Sequence, residues 1–438
     1  MRKRQKKIRI LPVLLALVMS LYGVHPLYAY AQEMGEGEQE LPVYTESQDL
    51  SEEPAQESSE DSSQQPEATP DPYPPSYYMP VESNEIPGWP QGPQVQAESA
   101  VLMDVDYGVC LYEKNMHQKQ YPASITKIMT ALLTIENANL SDVVTFSENA
   151  VYGIEPESSH IGIDVGEQLT VEQCLYGLML ASANEVAMGL AEHVAGSVEA
   201  FVDKMNQRAA QLGCEDTHFV NPHGLHDENH YVTAYDMALI AREAYHNQTF
   251  LNIVTTIYYE IPPTNMEEET RYLLNHQKLL SDDEWYYTGC RGGKTGYTDQ
   301  ALNTLVTFAK KENRILVCVN LKTDGTPIYS DTTALLDYGF DNFKWKHSKK
   351  VHDIKAEAPL GCSQGFFQSW ENAYWTQERS PGWVFLPKGI SKKKLTQKKA
   401  MEPIAAGQWR IKSTFYYKDH YVGYSYQYEN LLLKDLLH

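Results

Sequence analysis

The sequence predicts an α/β fold of the α+β type, in which an antiparallel sheet carries flanking helices and an inserted helical lobe. Three observations predict it. Residues 99–114 place strand-like runs on both sides of the turn residues Asp106-Tyr107-Gly108, which predicts a β-hairpin. Residues 294–298, 304–310 and 314–321 are strand-like again, with a tight turn at 311–313. Apolar residues recur at helical spacing between these two strand regions, which predicts helices there. With strands at both ends and helices between them, the first and last strands are expected to form one sheet into which a helical lobe is inserted.

The helices are predicted from their start and stop signals. Pro122 precedes an apolar run at helical spacing that extends to Leu133, which indicates a buried helix beginning near Ser124. Thr170 and Gln173 form a capping-box pattern, and the helix they open is expected to end near Ser182. Residues 198–212 are amphipathic and are stopped by Gly213.

The N-terminal part of the chain is predicted to lie outside this fold. Residues 2–9 contain six Lys or Arg, an apolar run follows, and Ala29-Tyr30-Ala31 offers a cleavage site, so residues 1–31 are expected to be a signal peptide. An uncleaved membrane anchor is the alternative. Residues 32–97 contain fifteen Asp or Glu and no Lys or Arg, which predicts a disordered acidic linker. A chain that begins at Gln94 is therefore expected to keep full stability.

Three short motifs follow one another in a fixed order: Ser124-Ile-Thr-Lys127, Ser182-Ala-Asn184 and Lys294-Thr-Gly296. Each alone is weak, because such strings occur by chance in proteins of this length. Together they match the pattern of serine enzymes that acylate their nucleophile and use lysine as the base. Ser124 and Lys127 are three residues apart, so they share one face of a helix.

The chemistry explains why these residue types are needed. A serine hydroxyl is a poor nucleophile until a neighbouring base takes its proton. A free lysine is protonated at neutral pH, but burial and a second nearby cation both lower its pKa. Lys294 supplies that cation if the three motifs converge, and the helix start at Ser124 offers a backbone N–H for an oxyanion hole.

With these motifs the chain resembles the bacterial serine-type D-alanyl-D-alanine carboxypeptidases, the low-molecular-mass penicillin-binding proteins of the S11 peptidase type. The similar region covers roughly residues 98–345. The matching segments within it are residues 121–130, 178–187, 221–225, 292–298 and 335–340. The resemblance implies a DD-peptidase/β-lactamase-like fold, with a catalytic domain over residues 98–348 and a small C-terminal β-domain over 351–438. Relatives usually end in an amphipathic membrane-binding helix, for which residues 431–438 are too short.

The resemblance also implies the function of each site residue. Ser124 would attack the carbonyl between two D-alanines of a peptidoglycan stem peptide, with Lys127 as its base. Ser182 and Asn184 would relay protons and hold the substrate amide. The substrate-binding residues would be those of one strand: Lys294, Thr295, Gly296 and Tyr297. Thr295 would bind the terminal carboxylate, and the backbone N–H groups of Ser124 and Tyr297 would form the oxyanion hole.

The expected partners follow from this chemistry. They are peptidoglycan stem peptides and, as inhibitors, β-lactam antibiotics, with a possible association with the cell wall or membrane. No cofactor and no nucleic acid are expected, and the enzyme is expected to work outside the cytoplasm. Two alternatives remain open: a class A-like β-lactamase, although residues 185–221 lack an E-x-x-L-N pattern, and a catalytically dead wall-binding protein.

Two departures from the family pattern concern the substrate carboxylate. Ala301-Leu302 stands where relatives commonly have Ala-Gly, and Pro327-Ile328 stands where many have an arginine. Carboxylate binding is therefore expected to be weaker or differently arranged. Neither change affects the nucleophile or its base.

Two other features are expected to be structural. The six cysteines form no C-x-x-C pair, and we expect unpaired thiols. His223, His226, Asp227 and His230 could suggest zinc, but Asn221-Pro222 and Gly224 indicate a loop rather than the helical face of zinc enzymes. We expect no metal there.

Overall fold

The computed structural model describes residues 71–282, 284–348, 378–379, 382–405 and 408–430. Strands, then helices, then strands follow one another through this part of the chain. The helices are α1 Lys127–Asn137, α2 Glu148–Tyr152, α3 Val171–Leu180, α4 Asn184–Ala195, α5 Val198–Gln211, α6 Ala234–Tyr245, α7 Gln248–Thr255, α8 Lys278–Ser281 and α9 Pro327–Asn342. The strands are β1 Ser99–Asp104, β2 Cys110–Lys114, β3 Val143–Thr145, β4 Gln168–Thr170, β5 Tyr258–Ile261, β6 Arg271–Leu274, β7 Cys290–Thr298, β8 Leu302–Lys311, β9 Arg314–Thr323, β10 Phe343–His347, β11 Glu378–Arg379, β12 Trp383–Pro387, β13 Thr396–Ala405, β14 Gln408–Tyr417 and β15 His420–Asn430.

The first sheet is formed by strands from both ends of the main domain. Its order is β2-β1-β9-β8-β7, and every neighbouring pair is antiparallel. β1 pairs with β9 along its whole length, from Ser99 opposite Leu321 to Asp104 opposite Leu316. The predicted α+β fold is therefore confirmed, and β7 is left as an edge strand beside the helices.

One face of this sheet is covered by the helices inserted between β2 and β7. The predicted capping box opens α3: the Thr170 hydroxyl accepts from the Gln173 backbone N–H, and the Gln173 side chain accepts from the Thr170 N–H. α1 is buried from Lys127 to Thr134, because it runs through the centre of this lobe between α3, α4 and α6. The first residue of α1 is thus held inside the protein.

The second sheet has the order β10-β12-β15-β14-β13, with β11 beside β15. β10 follows α9 directly and pairs with β12, from Phe343 opposite Pro387 to His347 opposite Trp383. The expected start of the β-domain at residue 351 is therefore wrong for its first strand. Phe343 is fully buried, and its ring packs against Trp89 and Tyr338, which fixes β10 to the other face of the first sheet.

The disordered linker expected over residues 32–97 is wrong for residues 71–97. Trp89 is only 4% exposed, its indole N–H donates to the Leu111 carbonyl at 2.9 Å, and its ring packs on Tyr417. The buried Lys114 ammonium donates to the Val95 carbonyl at 2.6 Å. The segment is polar on average, which predicted disorder. Its few apolar side chains nevertheless pack against the sheet and the β-domain. Residues 32–70 lie outside the described residues.

Five of the six cysteines lie in the described part of the chain, and all five are free thiols, as expected. Cys362 lies outside it, as do residues 1–31 and 431–438, on which the expectations about the chain ends rest. Within the described ranges, no helix is long and apolar enough to span a bilayer.

Replacing Trp89 tests whether residues 71–97 belong to the folded domain. Trp89→Ala should lower the free energy of unfolding by about 3–5 kcal/mol, because it removes a buried ring and leaves a cavity. Denaturant unfolding of the full chain measures this. Tyr152→Ala is the matched control: Tyr152 is 71% exposed, and its loss should change stability by less than about 0.5 kcal/mol.

The same interpretation predicts where the N-terminus can be shortened. A chain that begins at Asp71 should unfold with the midpoint of the full chain, whereas one that begins at Gln94 should be clearly less stable because it lacks Trp89. Equal stability of the two shortened chains would contradict the packing described above.

Candidate active site

A cleft of about 1010 Å³ lies where the edge strand β7 meets the helical lobe. The three sequence motifs meet in it, because it is lined by Ser124 from the first, by Ser182 and Asn184 from the second, and by Thr295, Gly296 and Tyr297 around the third. Lys127 and Lys294 lie beneath the surface and are almost completely buried. The structure therefore brings all eight predicted site residues to one place.

Ser124 lies in a single 3₁₀ turn, Ala123–Thr126, that leads directly into α1. Ala123 has a φ of 50°, a left-handed conformation that costs free energy for any residue with a Cβ. The turn is held from two sides. The Thr304 hydroxyl of β8 donates to the Pro122 carbonyl at 2.8 Å, and the Thr126 hydroxyl donates to the Ala123 carbonyl at 2.9 Å. Ser124 is thus held directly after a strained residue.

The Lys127 amine is bound by three different segments. Its Nζ lies 2.9 Å from Ser124 Oγ, 2.6 Å from Asn184 Oδ1 and 2.7 Å from the His223 carbonyl oxygen. A neutral amine satisfies this geometry in full. Two N–H groups donate to the amide and carbonyl oxygens, and the lone pair accepts the hydroxyl proton of Ser124. The arrangement suits a base that takes a proton from Ser124.

The surroundings favour the neutral form of this amine. Burial and then the positive charge of Lys294 hold the pKa of Lys127 well below the usual value for lysine, while the Glu185 carboxylate acts in the opposite direction. Burial also lowers the pKa of Lys294 to about 7. The Lys294 Nζ donates to the Thr295 carbonyl at 2.8 Å, which holds this side chain below the cleft.

The second motif connects α3 to α4. Ser182 has a φ of 62°, so this linker also contains a left-handed residue that is not glycine. The Asn184 N–H donates to the Ser159 carbonyl at 2.8 Å, and the next residue, Glu185, accepts from the Ile161 N–H at 2.6 Å. These bonds tie the linker to the loop of residues 155–161, part of which also lines the cleft.

The third motif lies on β7 and depends on the absence of a side chain at Gly296. A Cβ there would lie 2.5 Å from Thr304 Oγ1 and 2.8 Å from the Ser124 nitrogen. Only glycine lets this strand approach Ser124 so closely. Thr295 is partly exposed in the cleft, and Tyr297 is 59% exposed at its rim.

One component of the site was not predicted by sequence reasoning. Residues 221–225 were expected to be a structural turn, yet this loop supplies the His223 carbonyl that binds Lys127. Asn221 fixes the loop by accepting from the Gly224 N–H at 2.7 Å. Gly224 is required because a Cβ there would lie 1.9 Å from the Ala123 carbonyl oxygen. The motif was visible in the sequence, but the contact of its backbone with Lys127 was not.

The histidines around this loop are structural. His230 Nε2 lies 2.9 Å from Thr126 Oγ1, and its Nδ1 accepts from the Val220 N–H. His223 Nδ1 accepts from the Leu225 N–H at 3.1 Å. Across the part of the chain that the structure describes, no three His, Cys, Asp or Glu side chains are grouped to hold a metal ion.

The two departures from the family pattern have clear structural settings. Ile328, the second residue of α9, is 2% exposed and faces the core, so this position brings no charge to the cleft. Lys278 and Tyr329 line the cleft instead, with the Lys278 ammonium 5.6 Å from the centre of the tyrosine ring. Leu302 has a φ of 53° at the start of β8, a conformation that glycine adopts without strain.

Comparison with known proteins agrees with the site geometry. Residues 87–325 match the family described as D-alanyl-D-alanine carboxypeptidase. The chain is 36% identical over 272 residues to the D-alanyl-D-alanine carboxypeptidase DacF of Bacillus subtilis, covering 60% of this chain and 68% of that protein. It is 34% identical to DacB2 of Mycobacterium tuberculosis over 57% of this chain and 84% of the relative. Among solved structures, the Streptomyces K15 DD-transpeptidase superposes with a TM-score of 0.54 at 32% identity, covering 57% of this chain and all of that one.

Leu302 offers a test of backbone strain beside the cleft. Leu302→Gly should raise the free energy of unfolding by about 0.5–1 kcal/mol, because glycine removes the left-handed strain. Leu302→Val should lower it, since a β-branched residue tolerates a positive φ least. Thermal unfolding of the three proteins measures the order; a valine variant as stable as the wild type would contradict the strain.

The pH dependence of acylation tests the charges around Lys127. The rate should rise with pH as Lys127 loses its proton. Lys294→Met removes a positive charge, raises the pKa of Lys127 and should move the acid limb of the rate profile to higher pH. Glu185→Gln removes a negative charge and should move it to lower pH. Stopped-flow acylation by a penicillin measures both shifts.

Lys278→Met is the control for this pair, because Lys278 lines the same cleft but does not act on the pKa of Lys127. Its acid limb should coincide with that of the wild type. Shifts of the same sign for Lys294→Met and Glu185→Gln would show that the two charges do not act on Lys127 as described.

Proposed function

The chain belongs to the D-alanyl-D-alanine carboxypeptidase family, and we propose that its cleft removes the terminal D-alanine from peptidoglycan stem peptides through an acyl-enzyme on Ser124. One observation carries the residue assignment. The buried Lys127 amine lies within hydrogen-bond distance of Ser124 Oγ while its two other partners are oxygens that only accept. That geometry supports a neutral lysine acting as the base of a serine nucleophile.

Acylation begins when Ser124 Oγ attacks the carbonyl carbon of the penultimate D-alanine and its proton passes to Lys127 Nζ. The carbonyl oxygen becomes an oxyanion, which the backbone N–H groups of Ser124 and Tyr297 are proposed to stabilise. The C–N bond to the last D-alanine then breaks. The leaving nitrogen receives the proton from Lys127 through the Ser182 hydroxyl, and an ester on Ser124 remains.

Deacylation reverses the proton path. Water attacks the ester carbonyl and gives a proton to Lys127, the C–O bond to Ser124 breaks, and Lys127 returns the proton to Ser124 Oγ. Asn184 is proposed to hold the substrate amide, because its side chain is fixed by Lys127 and lines the cleft. Thr295 would bind the substrate carboxylate, with the positive charge of Lys294 beneath it. β-Lactam antibiotics would acylate the same serine.

The place of action follows from the substrate. Peptidoglycan lies outside the cytoplasm, so the enzyme is proposed to act there and to be exported through residues 1–31 as a signal peptide. Its effect would be on peptidoglycan synthesis and, through that, on cell shape. The enzyme is also proposed to associate with the cell wall or with the outer face of the cytoplasmic membrane.

Labelling with a fluorescent penicillin tests the nucleophile. One label per chain is expected, and peptide mass spectrometry should place the adduct on Ser124. Ser124→Ala should abolish labelling, and Lys127→Ala should slow it by roughly 10²–10⁴-fold with unchanged unfolding. Ser158→Ala is the matched control, because Ser158 lines the same cleft without contacting Lys127, and it should label normally.

The products of the reaction separate the peptidase from the alternatives. Release of D-alanine from a D-Ala-D-Ala peptide, with slow release of the bound penicillin, is expected for a carboxypeptidase. Rapid penicillin turnover without D-alanine release would make the protein a β-lactamase. Absence of labelling on Ser124 would make it a dead binding protein.

A further inference from the structure

The described part of the β-domain is basic in a chain that is otherwise acidic. Residues 343–348, 382–405 and 408–430 contain eleven Lys or Arg and three Asp or Glu, whereas the whole chain has a net charge of −22. Residues 388–399 alone contain six lysines and no acid. Such a separation of charge stabilises nothing within the fold by itself, because like charges repel across the surface.

Two of these lysines, Lys344 and Lys388, line a groove between the main domain and the β-domain. Its volume is about 390 Å³, and it is lined by the turn between β8 and β9, by the start of β10 and by Lys388. Arg314, Lys344 and Lys388 provide three cations there, against one acid, Glu312, on the exposed turn. Lys388 is held beside β10 because its backbone N–H donates to the Asn342 carbonyl at 2.9 Å.

The guanidinium of Arg314 is fixed in this groove. Its Nη1 donates to the carbonyls of Phe340 and Phe343 at 2.6 and 2.9 Å, and the group lies 5.2 Å from the centre of the Phe340 ring. None of the described acidic side chains lies within 4 Å of a charged atom of Arg314, Lys344 or Lys388. The cations of the groove therefore have no ion-pair partner among the described residues.

The loop after β12 extends the same positive charge. Lys346, on the same face of β10 as Lys344, donates to the carbonyls of Pro387 and Ile390 and thereby binds this loop. After burial, the charges of Lys344 and Lys392 lower the pKa of Lys346, so these lysines lie close enough to repel one another. Lys392–Lys394 follow on a 3₁₀ turn, and Lys393 and Lys394 are exposed. We call the groove and this loop together the basic surface.

From these observations we propose that the basic surface binds a linear polyanion, such as a phosphodiester polymer, and so holds the enzyme beside it. A groove that is continued by a row of lysines is complementary to a linear chain with repeated negative charges. A bilayer is the less favoured occupant: lysines alone are attracted to anionic headgroups, but stable interfacial binding adds inserted apolar side chains. No large apolar side chain is exposed among those described between residues 343 and 430.

The test uses the full chain and fluorescently labelled poly(glycerol phosphate), with binding followed by anisotropy at several salt concentrations. The wild type should bind, with log Kd rising linearly with log salt. The triple variant Lys344→Gln, Lys388→Gln, Lys392→Gln should bind roughly 10- to 100-fold more weakly and with a smaller salt slope. Its unfolding midpoint and its penicillin labelling should stay unchanged.

The matched control makes the same change of net charge elsewhere: Lys119→Gln, Lys204→Gln, Lys278→Gln, three exposed lysines of the main domain. It should bind the polymer like the wild type. If the groove variant fails to fold, the double variant Lys393→Gln, Lys394→Gln replaces it, because both of these side chains are exposed. A severalfold loss of affinity for the polymer is then expected.

Three outcomes would overturn the proposal. The wild type does not bind the polymer at low salt; the control variant loses as much affinity as the groove variant; or vesicles of phosphatidylglycerol and phosphatidylcholine bind more tightly than the polymer and lose binding in the groove variant. The last outcome would assign the basic surface to a membrane.

Discussion

The buried amine of Lys127 is the contact on which the rest of the site depends. Removing a lysine from water is costly unless its polar atoms find partners or it becomes neutral. Both conditions are met here. Three oxygens from three separate segments surround the Nζ atom, and the positive charge of Lys294 opposes protonation. Each segment must therefore be held in place by the surrounding fold, or the amine would be left unsatisfied.

The fold meets this demand by holding strained backbone next to the catalytic groups. Ala123 and Ser182 both adopt left-handed conformations, at a cost of order 1–3 kcal/mol each. A Cβ at Gly224 or at Gly296 would overlap backbone atoms of the turn that carries Ser124. The strain at Ala123 persists because the Thr304 and Thr126 hydroxyls both bind its turn and the loop after α5 binds Lys127, the first residue of α1. A rigid site of this kind lets acylation proceed without rearrangement of its donors.

The parts of the chain outside the catalytic region are joined to it through the opposite face of the first sheet. Trp89 from the N-terminal segment and Phe343 from the first strand of the β-domain pack on each other, in one core with α9. The groove that carries Arg314 and Lys344 opens at the edge of this core. A polymer bound there would hold the cleft near its substrate without touching the reacting groups.

The sequence by itself determined the local elements and singled out the residues that the structure brings together in the cleft. The spacing of Ser124 and Lys127 places them on one helical turn, Thr170 and Gln173 start α3, and the hairpin of β1 and β2 follows from strand-like runs on either side of turn residues. These features depend on residues a few positions apart, so they can be predicted from the sequence. The tertiary structure decided the rest, because the decisive partners are distant in sequence. The His223 carbonyl lies ninety-six positions from Lys127, and Trp89 is buried only because Phe343 and Tyr417 meet it. A backbone oxygen carries no residue-type signal, and a few apolar side chains in a polar segment become core only once a surface exists to receive them.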